Sequence, residues 1–423
     1  MVKLDLSDNK ISGKIPNWIW SLSILVYLNL SCNSLDSLEL PLINLTHVNY
    51  LDLHSNQFHG QIPTLQLLPN VIQLDLSRNY FSSIIPSTIR HVLRYTIFLS
   101  LSSNNINGTI PESLCNFKFL QVLDISNNFL SGMIPQCLTN MSGLAVLNLR
   151  RNNLTSVDHR PGSKQFPVTA LTTWQAMRSS KDNTPGKISN LRYGRVGYQV
   201  DTIVVTNKGL EMELLIVLTI FTYIDFSSNK FNGSIPKEIG ELKLLYYLNL
   251  SNNAFTGSVP SSLSNLSQLE ALDLSKNKLR GQIPPELTKL TFLAFLNLSY
   301  NKLVGRIPSG AQFSTFDATS FEGNKGLWGP PLTADKRTVF SPKPAEGNHS
   351  NPGHEIDWDI ICPEIGFTCG FGIAIGSLLF CKRWRKWYYR AMYNMLLKIF
   401  PQLEQILGHH RRHVYVHQRY WRR

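Results

Sequence analysis

Along most of the chain the hydrophobic positions keep a single beat. The unit Leu-x-Leu-Ser-x-Asn, with small variations, starts at Leu4, Leu28, Leu51, Leu74, Leu99, Leu123 and Leu147, in steps of 23 to 25 residues. It returns at Ile224, Leu248, Leu272 and Leu296 in steps of 24. Five residues after each of the eleven starts stands an asparagine: Asn9, Asn33, Asn56, Asn79, Asn104, Asn128, Asn152, Asn229, Asn253, Asn277 and Asn301. An Ile-Pro pair follows in most copies, as at Pro16, Pro63, Pro111, Pro135, Pro236, Pro284 and Pro308.

The Leu-x-Leu alternation predicts a short strand with two side chains turned inward. One such unit cannot bury its apolar face, whereas stacked units bury a continuous one. The asparagine falls where the chain leaves the strand, and a buried amide there must find backbone partners. Proline then keeps the return leg out of a regular helix. These features together predict an α/β solenoid, curved, with parallel strands lining its concave side.

The beat fails once. From Leu147 to Ile224 there are 77 residues where one repeat needs 24. The stretch 155–220 carries an island without the asparagine ladder, and Tyr198–Thr206 within it reads as a strand. Insertions of this length are functional or disordered. A folded island that shapes ligand or co-receptor contacts and a solvated spacer both remain open. The organisation is then repeats 1–154 (seven copies), island 155–220, repeats 221–308 (four copies), a terminal segment 309–332, a Pro- and Gly-rich linker 333–359, an apolar helix 360–381 and a tail 382–423.

Ile365–Cys381 is 17 residues without a charge, enough for a short spanning helix. Lys382, Arg383, Arg385 and Lys386 crowd its far end with Trp384 and Trp387, while Glu355, Asp357 and Asp359 precede it. Basic residues mark the cytoplasmic side, so a single-pass type I arrangement with the repeats outside follows. Gly366, Gly370, Gly372 and Gly376 form two Gly-x-x-x-Gly pairs suited to contact with a partner helix. Met1 opens directly into a repeat with no signal segment, which predicts a longer natural gene product.

Charge changes the picture only once it is located. The net charge is +13, but residues 382–423 alone hold 11 Lys or Arg against Glu404. A basic tail beside a membrane attracts anionic lipid, and no nucleic-acid partner is expected. That tail is too short for a catalytic domain. No phosphate loop, Gly-x-Ser-x-Gly elbow, His-Glu-x-x-His helix or Cys-x-x-Cys pair occurs in the sequence. The chain therefore reads as a non-enzyme, with no metal or cofactor.

The repeats resemble the plant-specific leucine-rich repeat, LxxLxLSxNxxxGxIPxxL. Further likeness lies in Asn207-Lys208-Gly209-Leu210-Glu211 at the island exit, in Phe313–Leu332, and in Lys382-Arg383-Trp384-Arg385 after the apolar helix. With these the chain resembles plant receptor-like proteins, in particular the immune class that includes the Cladosporium and Verticillium resistance receptors of tomato. The resemblance implies a plasma-membrane horseshoe that senses a microbial or wall-derived peptide, protein or glycan. It also implies signalling in plant defence through adaptor and co-receptor leucine-rich-repeat kinases. Phe313–Leu332 would then be the C-terminal cap, here without the usual cysteines and resting on Phe313, Phe316, Phe321 and Trp328. A developmental peptide co-receptor of the same architecture, and a soluble wall-located inhibitor of microbial hydrolases, are the competing readings.

Candidate contact residues come from the position before the first leucine, which should face the concavity and is aromatic in six of eleven copies. Aromatics on a wet face are good anchors, which singles out Tyr223, Tyr247 and Phe295, with Lys276 and Tyr300 nearby. Cys115 and Cys137 stand on consecutive return legs, within bridging reach in an oxidising compartment. Cys32 has no evident partner. The favoured N-glycosylation sequons are Asn44, Asn107, Asn140, Asn153, Asn232, Asn265 and Asn348. Those at Asn29, Asn249 and Asn297 are written by the repeat consensus itself.

Overall fold

The computed structural model describes residues 1–38, 46–62, 68–91, 94–156, 174–178, 192–193, 198–199, 203–207, 210–214 and 222–332. The linker, the apolar helix with its four glycines, the basic tail, Asn44 and Asn348 lie outside them. Among the described residues no helix is long and apolar enough to cross a membrane.

Eleven three-residue strands form one parallel sheet in chain order. They are β1 (Lys3–Asp5), β2 (Tyr27–Asn29), β3 (Tyr50–Asp52), β4 (Gln73–Asp75), β5 (Phe98–Ser100), β6 (Val122–Asp124), β7 (Val146–Asn148), β8 (Tyr223–Asp225), β9 (Tyr247–Asn249), β10 (Ala271–Asp273) and β11 (Phe295–Asn297). Each leucine meets its counterpart one repeat on, as Leu28 meets Leu51. The register survives the insertion, because Val146 pairs with Tyr223 and Leu147 with Ile224.

The asparagines explain that regularity. Asn128 Nδ2 donates to the carbonyls of Leu101 (3.0 Å), Ile125 (3.3 Å) and Ser126 (3.0 Å), and its Oδ1 accepts from the Ile106 N–H (3.0 Å). One buried amide thus satisfies backbone groups of two repeats. The same set recurs across the island, where Asn229 bonds Leu149 and Leu154. The residue before each asparagine lies in the left-handed region with φ of 51–54° in all eleven copies, and none of the eleven is glycine. The bonds of the amide offset a conformation that L-residues otherwise avoid.

The return legs are short 3-10 segments, such as Glu112–Asn116, Gln136–Asn140 and Lys237–Glu241. This corrects the α in the expected α/β solenoid, since Gln175–Arg178 is the one α-helix among the described residues. Proline precedes each of these segments, and an N–H three residues on bonds back to it, as Leu114 does to Pro111 (3.1 Å). Five residues of that pattern close a 3-10 turn and no more. Short two- and three-stranded ladders, such as Asn232–Ser234 with Ala254–Thr256, flank the main sheet.

Two segments without the sequence motif belong to the solenoid. Trp174 and Met177 are buried in the main core. Trp174 Nε1 donates to the Leu138 carbonyl (3.0 Å), the Leu244 N–H donates to the Met177 carbonyl (2.9 Å), and Arg178 pairs with Glu241 (2.9 Å). Trp174–Arg178 therefore bonds to two 3-10 segments of the stack, Gln136–Asn140 and Lys237–Glu241. Thr155 and Ser156 also stay with the repeats, through a bridge to Lys230 and a bond from the Asn232 N–H (2.9 Å). Further into the island, Ile203–Asn207 and Leu210–Leu214 pair as an antiparallel hairpin.

In the terminal segment 309–332, expected to be a cap, Phe321-Glu322-Gly323-Asn324 repeats the turn of Leu298-Ser299-Tyr300-Asn301. Asn324 bonds the Leu303 N–H (3.0 Å) and the Leu298 and Phe321 carbonyls (3.0 Å each). Gly323 holds the left-handed position. Phe313, Phe316 and Phe321 are buried, but Trp328 is 40% exposed. The expected four-aromatic cap is thus a three-phenylalanine cluster, with Trp328 on a strand, Gly326–Trp328, that pairs with Lys302–Arg306.

The position between the two leucines carries a second polar ladder. Asp124 Oδ1 accepts from the Ser126 N–H (2.9 Å), and Asn249 caps Ser251 in the same way (3.0 Å). Burial pushes the Asp124 carboxyl up to about 6. The folded chain therefore binds that proton more tightly than the unfolded chain, and the stability it contributes falls as pH rises from about 4 to 6.

Two outcomes follow. Asn128→Ala should cost about 3–5 kcal/mol, because several buried backbone groups lose their partner together. Denaturant unfolding reads the cost, and amide exchange at Ile106 should accelerate. Asp124→Asn keeps the cap but removes the charge, so it should melt higher than the parent at about pH 7.5 and lose that advantage near about pH 4. An advantage independent of pH would refute the electrostatic cause.

Candidate functional site

An open groove of about 480 Å³ runs across the C-terminal ends of β9, β10 and β11, from Arg150 to Glu322 in the terminal segment. The fold makes it polar. At each strand end come an Asp or Asn, a Ser and then the left-handed residue, and all three repeat every 24 positions. Its charged lining is Arg150, Asp273, Lys276 and Glu322, beside Phe295 and Tyr300.

Lys276 and Tyr300 are exposed, and both occupy the left-handed position, with φ of 52° and 53°. The asparagine ladder therefore fixes the backbone beneath them. Tyr300 is 52% exposed. A Cβ on Gly323 would stand 2.7 Å from Tyr300 Cδ1, so the glycine leaves room for the ring. The Glu322 carboxylate beside the Tyr300 hydroxyl pushes that phenol up. Burial raises the Asp273 carboxyl, while Lys276 pulls it back.

Tyr223 and Tyr247 are not on a wet face, contrary to expectation. Their exposures are 0% and 4%. The rings stack at 4.5 Å and 13°, since in-register rungs bring equivalent side chains face to face. Their hydroxyls are also engaged. Tyr223 donates to Asp225 Oδ2 (2.9 Å), and Asn249 Nδ2 donates to the Tyr247 oxygen (3.2 Å). Burial, with Asp225 second, pushes the Tyr247 phenol up. The pair forms a rigid polar platform, and Phe295 is half-buried. Of the five candidates, Lys276, Tyr300 and Phe295 line the groove.

Three groove residues escaped the sequence reading. Arg150 stands where nine repeats have Ser, a substitution visible in the sequence. Asp273 is a ladder residue like its ten counterparts, and Glu322 was hidden in the twelfth, motif-less unit. Elsewhere, Cys115 and Cys137 are joined as a disulfide between neighbouring 3-10 segments. Of the sequons, Asn107, Asn232 and Asn265 are exposed and Asn153 is half-buried. Asn140 ends the segment Gln136–Asn140. The consensus-written Asn29 and Asn249 are buried.

Leucine-rich-repeat family models match residues 243–303, and 1–22, 70–92, 96–117, 119–141 and 221–242. Receptor-like protein 18 of Arabidopsis thaliana is 42% identical over 402 residues, covering 89% of this chain and 48% of the relative. Receptor-like protein 53 of the same plant is 42% identical over 422 residues, covering 89% and 44%. The chain thus spans about half the length of these relatives. The crystal structure of a TDR receptor superposes with a TM-score of 0.52 at 28% identity, covering 73% of this chain and 48% of that one. A plant ice-binding protein shares the fold, with a TM-score of 0.53 at 23% identity over 78% of this chain and 81% of that chain. By its repeats and by this identity along nine-tenths of its length, the chain belongs to the plant leucine-rich-repeat receptor-like proteins.

Proposed function

We propose that this chain is a non-enzymatic cell-surface receptor-like protein that binds an extracellular ligand in the groove between Arg150 and Glu322. The groove carries the reading. It combines fixed charges of both signs with one exposed and one half-buried aromatic, on a backbone that the asparagine ladder holds still. A preformed polar cleft with aromatic anchors suits an extended peptide, a protein loop or a glycan. The segment 360–381 would anchor the chain in the plasma membrane with the repeats outside. Gly366, Gly370, Gly372 and Gly376 would meet a partner helix, and adaptor and co-receptor leucine-rich-repeat kinases would carry the signal in plant defence. Asn107, Asn153, Asn232 and Asn265 would be glycosylated on that outer face.

The full-length chain, immobilised and offered panels of synthetic peptides, microbial proteins and wall oligosaccharides, should retain one class. Lys276→Glu and Tyr300→Ala should each weaken that capture about tenfold, with melting temperature unchanged, because both side chains are exposed. Equal capture by both variants would move the site elsewhere. The same chain should resist extraction from membranes by alkaline carbonate, whereas a soluble wall inhibitor would be released.

A further inference from the structure

The second polar ladder follows a rule and breaks it at one step. From β1 to β11 its residues are Asp5, Asn29, Asp52, Asp75, Ser100, Asp124, Asn148, Asp225, Asn249, Asp273 and Asn297. Every aspartate has Asn or Ser on the neighbouring rungs, except that Asp52 and Asp75 are partners in register on β3 and β4. Both are buried, at 1% and 6% exposure. Two carboxylates out of water on adjacent rungs repel each other strongly.

At the same step the serine rule also breaks. Nine repeats have Ser three residues after the first leucine, and the third repeat has His54. His54 Nδ1 lies 2.7 Å from Asp52 Oδ1, and one ligand atom from each of Asp52, His54 and Asp75 lies within 4.8 Å of the others. Two departures from an eleven-fold pattern therefore fall on one spot. Together they assemble two acidic oxygens and one imidazole nitrogen.

We propose that Asp52, His54 and Asp75 form a divalent transition-metal site of zinc type on the concave face. The imidazole selects zinc-like ions over calcium or magnesium, which prefer oxygen alone. Two carboxylates balance the charge of the ion, and water completes the three protein ligands. The oxygens are already oriented. Asp52 Oδ2 accepts from the Tyr50 hydroxyl (3.2 Å), and Asp75 Oδ1 accepts from the Ser77 N–H (2.8 Å). Such outer bonds steady metal ligands. On the far side of the ring, His54 Nε2 is 3.5 Å from Cys32 Sγ. The ion replaces the proton shared by His54 Nδ1 and Asp52 Oδ1, which must part by roughly half an ångström to reach a tetrahedral spacing. The His54 side chain is 15% exposed and gives the ion its way in, while the charge of Arg78 opposes it.

The test is zinc titration of the purified, chelator-stripped full-length chain, followed by calorimetry and melting temperature. Because His409, His410 and His413 in the tail offer zinc a second home, a triple alanine variant at those positions serves as the parent. That parent should bind one equivalent of zinc and melt higher with it, and calcium or magnesium should not compete. His54→Ser and Asp75→Asn should each weaken binding about tenfold or more. Both variants install residues that other repeats carry at the same position, so both should fold, as metal-free melting curves would check. If the parent takes up no zinc, or if His54→Ser leaves its uptake unchanged, the three residues are only a hydrogen-bonded turn and the proposal is overturned.

Discussion

Each repeat leaves its strand through a buried corner, and at that corner several backbone groups lose access to water. An unpaired buried N–H or C=O costs about 1–3 kcal/mol, and eleven such corners would unfold the chain. One side-chain amide answers for each corner. Asn277, for example, donates to the Leu250, Leu274 and Ser275 carbonyls while its oxygen takes the Phe255 N–H. Only an amide of this length offers both donors and an acceptor at the required spacing. Its bonds also hold the preceding residue in the left-handed region. What that residue presents to solvent is then fixed by backbone rather than by its own preference, which is why Lys276 and Tyr300 project from a rigid base.

This constraint governed what could be read in advance. Wherever Leu-x-Leu and Asn stood at fixed spacing, as from Leu4 to Asn152 and from Ile224 to Asn301, strands and register were legible, because the period itself is the physical requirement. Trp174 and Met177 were not, since their burial and their bonds to Leu138 and Leu244 follow no repeated spacing and no neighbouring motif marks them. Asn324 escaped because Phe321 replaces the leucine and no strand precedes it. The concave face was legible as a face but not as a wet one. Sequence spacing shows that Tyr223 and Tyr247 are neighbours, while their stacking and the use of their hydroxyls depend on distances that only the folded rungs set.

The second ladder shows what happens when a repeat carries charge into its interior. Asp caps the following N–H as well as Asn does, so either serves the turn. Their near-alternation along the sheet has an electrostatic reason: Asn249 Nδ2 lies 3.4 Å from Asp225 Oδ2 and can donate where a second carboxylate would repel. Burial still raises Asp225, so the arrangement reduces the cost without removing it. Stability thus sets the spacing of acids on this face, and a step that ignores the spacing needs a compensating positive charge from some source.

The position of the insertion obeys the same constraint. Because Val146 and Tyr223 pair in register, the sheet passes the island as though it were absent, and a long excursion between fixed ends adds only a slowly growing entropy cost. The excursion leaves after Ser156, once the corner amide of Asn152 is already bonded to Ile125, Leu149 and Arg150. The corner on the far side is closed by Asn229. An insertion one turn earlier would break an amide set, whereas one on the return leg breaks none. The excursion therefore starts on the return leg of the seventh repeat, past the corner that Asn152 closes and after Ser156 has taken the Asn232 N–H. The backbone requirement therefore fixes where within a repeat a long segment is tolerated: after the corner amide has found its partners and not before it.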